Sequence, residues 1–460
     1  MLKDAQGLDV ANADDAAIRA IDRALEQWLG YGDELGRYVA FAQKARDVPL
    51  VQLQTAVLNL TLESPEGFAG ARPFIDAARA RERDMTERER LWLHAVSAWA
   101  EGASDQAGEV FATIVRRWPR DLFAGKTAQL LCLARGDFEG MLRIAEDFVP
   151  ANQEIGYVHG MRAFALEQLN RLDEAETDAR RAVEMRREDP WAHHAVAHVM
   201  ETRGRLEEGI AWMEGLADTW EDRNAFIYGH NWWHTALFYI DSERPGHALK
   251  LYDTRIWDRW KEFGHDQANA IALLARLELR GLDVGARWKA IAPYLSPRIR
   301  EHCSAFLDLH YVHGLARAGE REAVTEMLAS LEERAERAKP FERKAWRDAA
   351  VPAAHGLVAH AEGRHAEAAD RLGESLPHLQ SVGGSHAQRA LFEAIHVDAL
   401  IRAGWNDRAL AHLQAADRAR GGIAHLKRDL ATIYDRLGRA EDAQSARLQA
   451  ERLTRRYQTP

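Results

Sequence analysis

The sequence predicts an all-α fold, a right-handed superhelical solenoid of antiparallel helix pairs. Two observations lead there: the composition, and a turn signature that returns along most of the chain. Of 460 residues, 47% are hydrophobic and 29% charged, and Pro is scarce at 13. Abundant Ala, Leu, Glu and Arg without long β-branched runs favour helix throughout.

The signature is a turn residue, two or three polar residues, then a small residue opening an apolar-periodic helix. It reads GASDQA at 102–107, GDFEG at 136–140, NRLDEA at 170–175 and GRLEEG at 204–209. It returns as SERPGHA at 242–248, GEREA at 319–323, GRHAEA at 363–368, GWNDRA at 404–409 and GRAEDA at 438–443. The small residues at 107, 140, 175 and 209 are separated by 33, 35 and 34, and those at 409 and 443 by 34. A 34-residue helix–turn–helix period is that of the tetratricopeptide unit. Glycine ends the first helix in a conformation other residues resist, and Ala or Gly lets the second helix approach the first.

On this reading the first helices of the pairs start near Arg88, Asp121, Ile155, Pro190, Phe226, Asp266, Glu301, Arg347, His386 and Ile423. Pro190 suits a first helical turn. Residues 1–87 add weakly punctuated helical pairs, 88–422 form the repeat body, and the charged segment 423–460 supplies capping helices. No linker divides the chain, so a single solenoid over 1–460 is expected. The spacing stretches to 39 between residues 209 and 248 and lengthens further beyond. Longer helices or helical loops are expected between Ala248 and Ala409.

Net charge is −10 and the calculated pI about 6.1, so no global basic field awaits phosphates and a nucleic-acid partner is not expected. Cys132 and Cys303 make no disulfide framework and point to a reducing compartment. The N-terminus has no secretory pattern, and no apolar run approaches the roughly 20 residues of a membrane span. A cytoplasmic protein without a membrane partner is expected, with room for self-association through a solenoid end.

Chemistry concentrates in the histidines. Of 20, 16 fall on predicted first helices, the helices that line the concave face of such arrays. His194 and His198, and His230 and His234, are two i,i+4 pairs, each on one face of a helix. They lie 36 residues apart, about one repeat, so four imidazoles can converge on one divalent ion such as zinc. Counted from Gly209 and Ala248 the offset is 39 instead, which sets His194 opposite Trp233. The alternative is buried histidines bonding to carbonyls, or to Glu201 and Asp222. Neither pair carries the glutamate of HExxH.

Asp266 and Gln267 open the next first helix. Asp308, His310 and His313 share a later one, where an Asp beside a His can set its tautomer for general-base work. His159 joins the same predicted face. GGSHAQRAL at 383–391 starts a helix whose free N–H groups, with His386 and Arg389, suit a carboxylate or phosphate; an ordinary capped start is the alternative. Trp191, Trp212, Trp220, Trp232 and Trp233 crowd the two His-pair repeats.

The stretches WAHHAVAHVMETRGRLEEGIAWMEG (191–215) and HNWWHTALFYIDSERPGHALKLYD (230–253) resemble the tetratricopeptide repeat protein 38 family. So do DVGARWKAIA (283–292), DLHYVHGLARAG (308–319) and GGSHAQRALFE (383–393). The resemblance implies the helical-repeat fold over most of the chain from Gly156 onward, and no settled reaction.

The expectation is therefore a binding protein holding a peptide or small ligand in a His/Trp-lined groove. Its ligand residues would be His159, His194, His198, His230, Asn231, His234, Gln267, His386 and Arg389. The alternative is a metal-dependent, hydrolase-type enzyme with the two His pairs as ligands and Asp266, Asp308 or His310 as proton-transfer groups.

Overall fold

The computed structural model describes residues 1–458; positions 459–460 of the predicted C-terminal cap lie outside the described residues. The chain is all-α, a succession of tetratricopeptide-like helix pairs. A two-stranded antiparallel hairpin, Leu2–Lys3 with Asp9–Val10, is its one sheet among the described residues. Two compact units form. Unit 1 holds residues 1–196 and 219–227, and unit 2 holds 197–218 and the chain from 228.

Unit 1 contains α1 (Asp15–Leu29) and α2 (Leu35–Ala42), α3 (Pro49–Leu60) and α4 (Pro65–Arg79), α5 (Glu87–Ala100) and α6 (Ser104–Arg117). Then come α7 (Leu122–Ala134) and α8 (Phe138–Phe148), and α9 (Gly156–Gln168) and α10 (Leu172–Met185). The division falls within α11 (Pro190–Thr202). Unit 2 continues with α12 (Leu206–Leu216), α13 (Ala225–Asp241, its first turn in unit 1), α14 (Pro245–Leu251), α15 (Gly264–Leu279) and α16 (Arg287–Leu295). It ends with α17 (Ala305–Ala318), α18 (Arg321–Glu336), α19 (Val351–Ala361), α20 (His365–Ser375), α21 (His386–Arg402), α22 (Asn406–Ala419), α23 (Ala424–Arg436) and α24 (Ala440–Gln458).

The expected helix starts fall within two residues of the observed ones except at Glu301, where α17 begins at Ala305, and Arg347, which lies in the helical turns before α19; side-chain caps fix several of them. Asp121 Oδ1 accepts from Ala124 N at 3.1 Å and Asp137 Oδ1 from Gly140 N at 2.8 Å, satisfying N–H groups that the helix itself leaves open. Thr86 and Glu89 form a reciprocal capping box at the start of α5.

The turn residues Gly102, Gly136, Asn170, Gly204, Gly319, Gly363, Gly404 and Gly438 all take positive φ, between 59° and 82°. The residue after the turn then donates five residues back, as Ala103 N does to Ala98 O at 2.8 Å and Arg205 N to Met200 O at 2.9 Å, the bond that closes a left-handed helix end. In SERPGHA the strained residue is Glu243 (φ 65°) rather than Ser242, and Gly281 (φ 79°) makes a further turn, after α15, that the signature missed.

Five residues past the turn the chain must be small where helices touch. Ala107, Ala175, Ala368, Ala409 and Ala443 are fully buried. At Gly209 on α12, a Cβ would stand 2.4 Å from the ring of the fully buried Phe238 on α13. GEREA departs from this: the buried residue is Val324, and Ala323 is half-buried. The long middle units contain the expected helical insertions, as π-turns at Tyr252–Ile256 and Lys344–Ala350 and a 3₁₀ stretch at Leu376–Val382.

Gly209→Val is expected to destabilise unit 2 by about 1–3 kcal/mol, because the Phe238 ring has nowhere to move. Gly215→Ala, on the same helix with open space at its Cβ, should be neutral or stabilising by up to about 1 kcal/mol. Urea unfolding of the two variants checks this; equal effects would contradict the close approach.

Candidate functional site

Some of the predicted groove histidines hold the fold together. His159 and His193, 34 residues apart, make the same bond: each Nε2 meets the carbonyl six residues earlier, Gln153 O at 3.1 Å and Arg187 O at 2.7 Å. His193 Nδ1 accepts from Trp220 Nε1 at 3.0 Å, so its proton sits on Nε2 and is donated to Arg187. Gln267 repeats the device in unit 2, donating from Nε2 to Lys261 O at 2.8 Å. His159 and Gln267, expected to contact a ligand, thus tie down the loops that precede their own helices. His194 falls in unit 1, stacked on Trp191 with ring centroids 4.5 Å apart and beside Phe164 at 5.1 Å.

The other three members of the predicted metal quartet meet in unit 2. His198 on α11 and His234 on α13 have ring centroids 4.5 Å apart, so the 36-residue register governs this pair. His230 stands perpendicular to His234 at 4.9 Å and stacks on Trp233 at 5.4 Å. Glu201, almost one turn beyond His198, reaches His234 Nδ1 with Oε2 at 3.3 Å. Asn269 on α15 meets His230 Nδ1 with Oδ1 at 3.0 Å. His386 opens α21 and lies edge-on to His198 at 5.3 Å.

Two guanidinium groups complete the centre. Arg420 donates to Glu201 O at 3.3 Å and to Asp241 Oδ2 at 2.5 Å. Arg276 lies over the Trp233 ring at 5.3 Å and donates to Ala387 O at 2.7 Å.

Burial dominates the electrostatics. By itself it would raise Glu201, but the hydrogen bond from His234 and the charge of Arg420 hold this carboxyl down to about 2. Burial brings Arg276 down to about 10, against the pull of Glu201 and Asp241. His230 lies well below the usual imidazole range, through burial and then the neighbouring His234. The centre therefore pairs two cations with two anions beside a neutral His230.

The expected proton-transfer groups separate. Asp266 on α15 is 4% exposed; burial pushes it up to about 7, and its Oδ1 has no hydrogen-bond partner among the described residues. The expectation that Asp308 sets the tautomer of His310 is not met. Asp308 Oδ2 takes His302 Nδ1 at 2.6 Å instead, and His310 Nδ1 donates to Phe306 O at 2.8 Å. Residues two apart on a helix do not face each other. His310 lies between Phe306 and Phe392, and burial lowers it to about 4.

At the start of α21, Ser385 and Gln388 form a reciprocal capping box, and Arg389 folds back onto the carbonyls of Gly383 and Gly384. The geometry is that of an ordinary capped helix start. Asn231 is fully buried, and its backbone carbonyl accepts from Thr235 Oγ1 at 2.9 Å.

Asn269, Arg276 and Arg420 escaped the sequence reading, since no local motif links them to the histidines. Glu201, weighed only as a bonding partner, is three residues from His198, a spacing that puts both on one face. Asn269 follows His230 by 39 residues, the same offset as between the two turn positions.

No family model matches the chain. Among solved structures it is similar to a human IFIT1 dimer with PPP-AAAA, at 11% identity and TM-score 0.43, over 93% of this chain and 99% of that one. A human IFIT1 dimer with m7Gppp-AAAA gives 13% and 0.42, over 94% and 99%. The TPR domain of P58(IPK) gives 14% and 0.22, over 82% and 100%. Neither the identities nor the TM-scores carry family or ligand across.

Because Glu201 is depressed in the fold, its contribution is present above the ordinary carboxylate value and is lost as pH falls toward 2. Glu201→Gln should cost up to about 3 kcal/mol at pH 7, from the size of the shift, and much less at pH 3. Urea unfolding at the two pH values tests this; a gap that does not narrow on acidification would contradict it.

Proposed function

We propose that the chain is a tetratricopeptide-like binding protein whose ligand, a small acidic molecule or the acidic end of a peptide, engages the polar centre of unit 2. The observation carrying this is the convergence of His198, His230, His234, Asn269, Arg276 and Arg420 around one carboxylate and one indole face. Buried polar groups are expensive unless matched, and so many in one place suit a ligand that accepts hydrogen bonds. Aromatic walls with a few placed polar groups are the usual make-up of small-molecule sites.

A divalent ion is the competing occupant, because three close imidazoles and a carboxylate are a zinc-type donor set. Arg276 and Arg420 weigh against it, since two more positive charges would be added beside guanidinium groups already held in low dielectric. We also infer a place beside the tetratricopeptide repeat protein 38 family, on the His- and Trp-rich segments of α11 and α13. Two cysteines outside any disulfide framework, Cys132 buried and Cys303 half-buried, support a cytoplasmic setting; no described helix is long and apolar enough to cross a membrane.

The test is native mass spectrometry with elemental analysis, on protein purified without a metal column, alongside His234→Asn. The expected result is an acidic small molecule or peptide that copurifies with the wild type and is depleted at least tenfold in the variant. About one equivalent of zinc or a similar ion, lost in the variant, would replace this reading with a metal site. Neither ligand nor metal, with no acidic compound restoring binding, would overturn both.

A further inference from the structure

Four first helices that belong to unit 1 carry a residue at one register position: Glu89 on α5, Phe123 on α7, Tyr157 on α9 and Trp191 on α11, each 34 residues after the last. All four meet the same stretch of chain, the N-terminal segment. Glu89 Oε1 accepts from Ala11 N at 3.0 Å, and Phe123 stacks on Trp28 with ring centroids 5.1 Å apart. Tyr157 donates from its hydroxyl to Glu26 Oε1 at 3.1 Å, and Trp191 stacks on Tyr31 at 5.3 Å. The segment therefore lies along the first-helix face from α5 to α11.

Further contacts hold the end of α1. Lys126 on α7 donates to Trp28 O and, at 3.3 Å, to Leu29 O, and its Nζ lies 3.3 Å above the Tyr31 ring. An ammonium suits the last carbonyls of a helix, which are open acceptors at the negative end of its dipole. Arg186, just after α10, pairs with Glu26 and lies over the Tyr157 ring at 4.7 Å. A Cβ at Gly30 would stand 2.5 Å from the Tyr157 hydroxyl, so glycine lets the chain reach that rung. The placement of α1 is not that of a repeat. Units of such an array pack on their neighbours, as α2 does on α3 and α3 on α5, yet α1 packs on α7, three pairs along. It buries one face, Ala17, Ile21, Ala24 and Trp28, and an amphipathic helix laid into a groove by one face is a mode of peptide recognition.

We propose that the first-helix face of unit 1 is a helix-binding groove whose resident occupant is the chain's own N-terminal segment. It takes a partner helix ending in the same chemistry: a carboxylate, an aromatic ring two residues later and a second ring three beyond, as Glu26, Trp28 and Tyr31 stand here. The partner's carboxylate meets Arg186 and Tyr157, its last carbonyls meet Lys126, and its rings stack on Phe123 and Trp191. A tethered occupant competes at an effective concentration of roughly millimolar, so the partner enters when the segment lets go. The side chains of Glu26 and Arg186 are 43% and 34% exposed, so release begins at a contact that water already reaches. The surface lies within unit 1 and does not depend on the occupant of the His198–His234 centre.

The test uses the full chain and a fluorescent peptide of residues 14–34, read by anisotropy. The double variant Trp28→Ala/Tyr31→Ala weakens the resident segment and leaves every groove residue in place. It should bind the peptide at least tenfold more tightly than the wild type does. A peptide with both rings replaced by alanine should bind it at least tenfold more weakly, as should the intact peptide once Lys126→Gln is added to the variant. A second readout, on the wild type, stands even where the double variant fails to fold. Amides of 15–32 should exchange with deuterium at least tenfold faster than those of α5, α7 and α9, through an opening of their own. Exchange of 15–32 only together with those helices would mean that α1 is fixed core. That result, a folded double variant that does not take the peptide, or equal binding of the ringless peptide would overturn the proposal.

Discussion

The structure depends on one steric constraint: each pair of helices closes through a residue with positive φ and then presses a small or tightly fitted residue against its partner. The two parts are coupled. The left-handed turn sets where the second helix begins, and the position five residues later decides how near it comes. Where that position is Ala, or Gly209 beneath Phe238, the pair packs closely. Repetition of this geometry puts equivalent side chains at equal depth in successive pairs, which is why His159 and His193 make the same loop bond 34 residues apart.

Packing at this density leaves polar side chains little water, and that governs the chemistry of unit 2. Burial brings Arg276 and His230 down, while Glu201 is held down by its neighbours against the effect of burial. Pairing offsets part of the cost of so polar a centre: Glu201 with His234, Asn269 with His230, Arg420 with Asp241.

The helix pairs were legible because their signals are local: a turn glycine, a capping Asp or Ser, a small residue at fixed distance. Where the signal weakened, the reading did too. The first pairs close at Tyr31 and Glu63, residues that seldom take positive φ; Gly30 and Gly32 flank Tyr31 but do not take the left-handed conformation themselves. The π-turns at Tyr252–Ile256 and Lys344–Ala350 lengthen the middle units without any motif. At the site, the i,i+4 histidines were visible from spacing alone, and His198, His230 and His234 do converge. Their partners were not, since Asn269, Arg276 and Arg420 arrive from helices distant in sequence. Asp308 misled because adjacency along the chain is not adjacency on a helix: its bond goes back to His302 in the preceding loop.

The account rests on these histidines being dry and held neutral by the fold, and one measurement reads that directly. Long-range ¹⁵N–¹H spectra of the histidine rings, followed from pH 8 to pH 4, report the tautomer and charge of each imidazole. His230 and His313 should stay neutral well below the ordinary imidazole value, and His310, protonated on Nδ1, should gain charge only near pH 4. Titration of all three near the ordinary value, about 6.5, would mean that water reaches them, and would contradict the buried centre on which the functional reading is built.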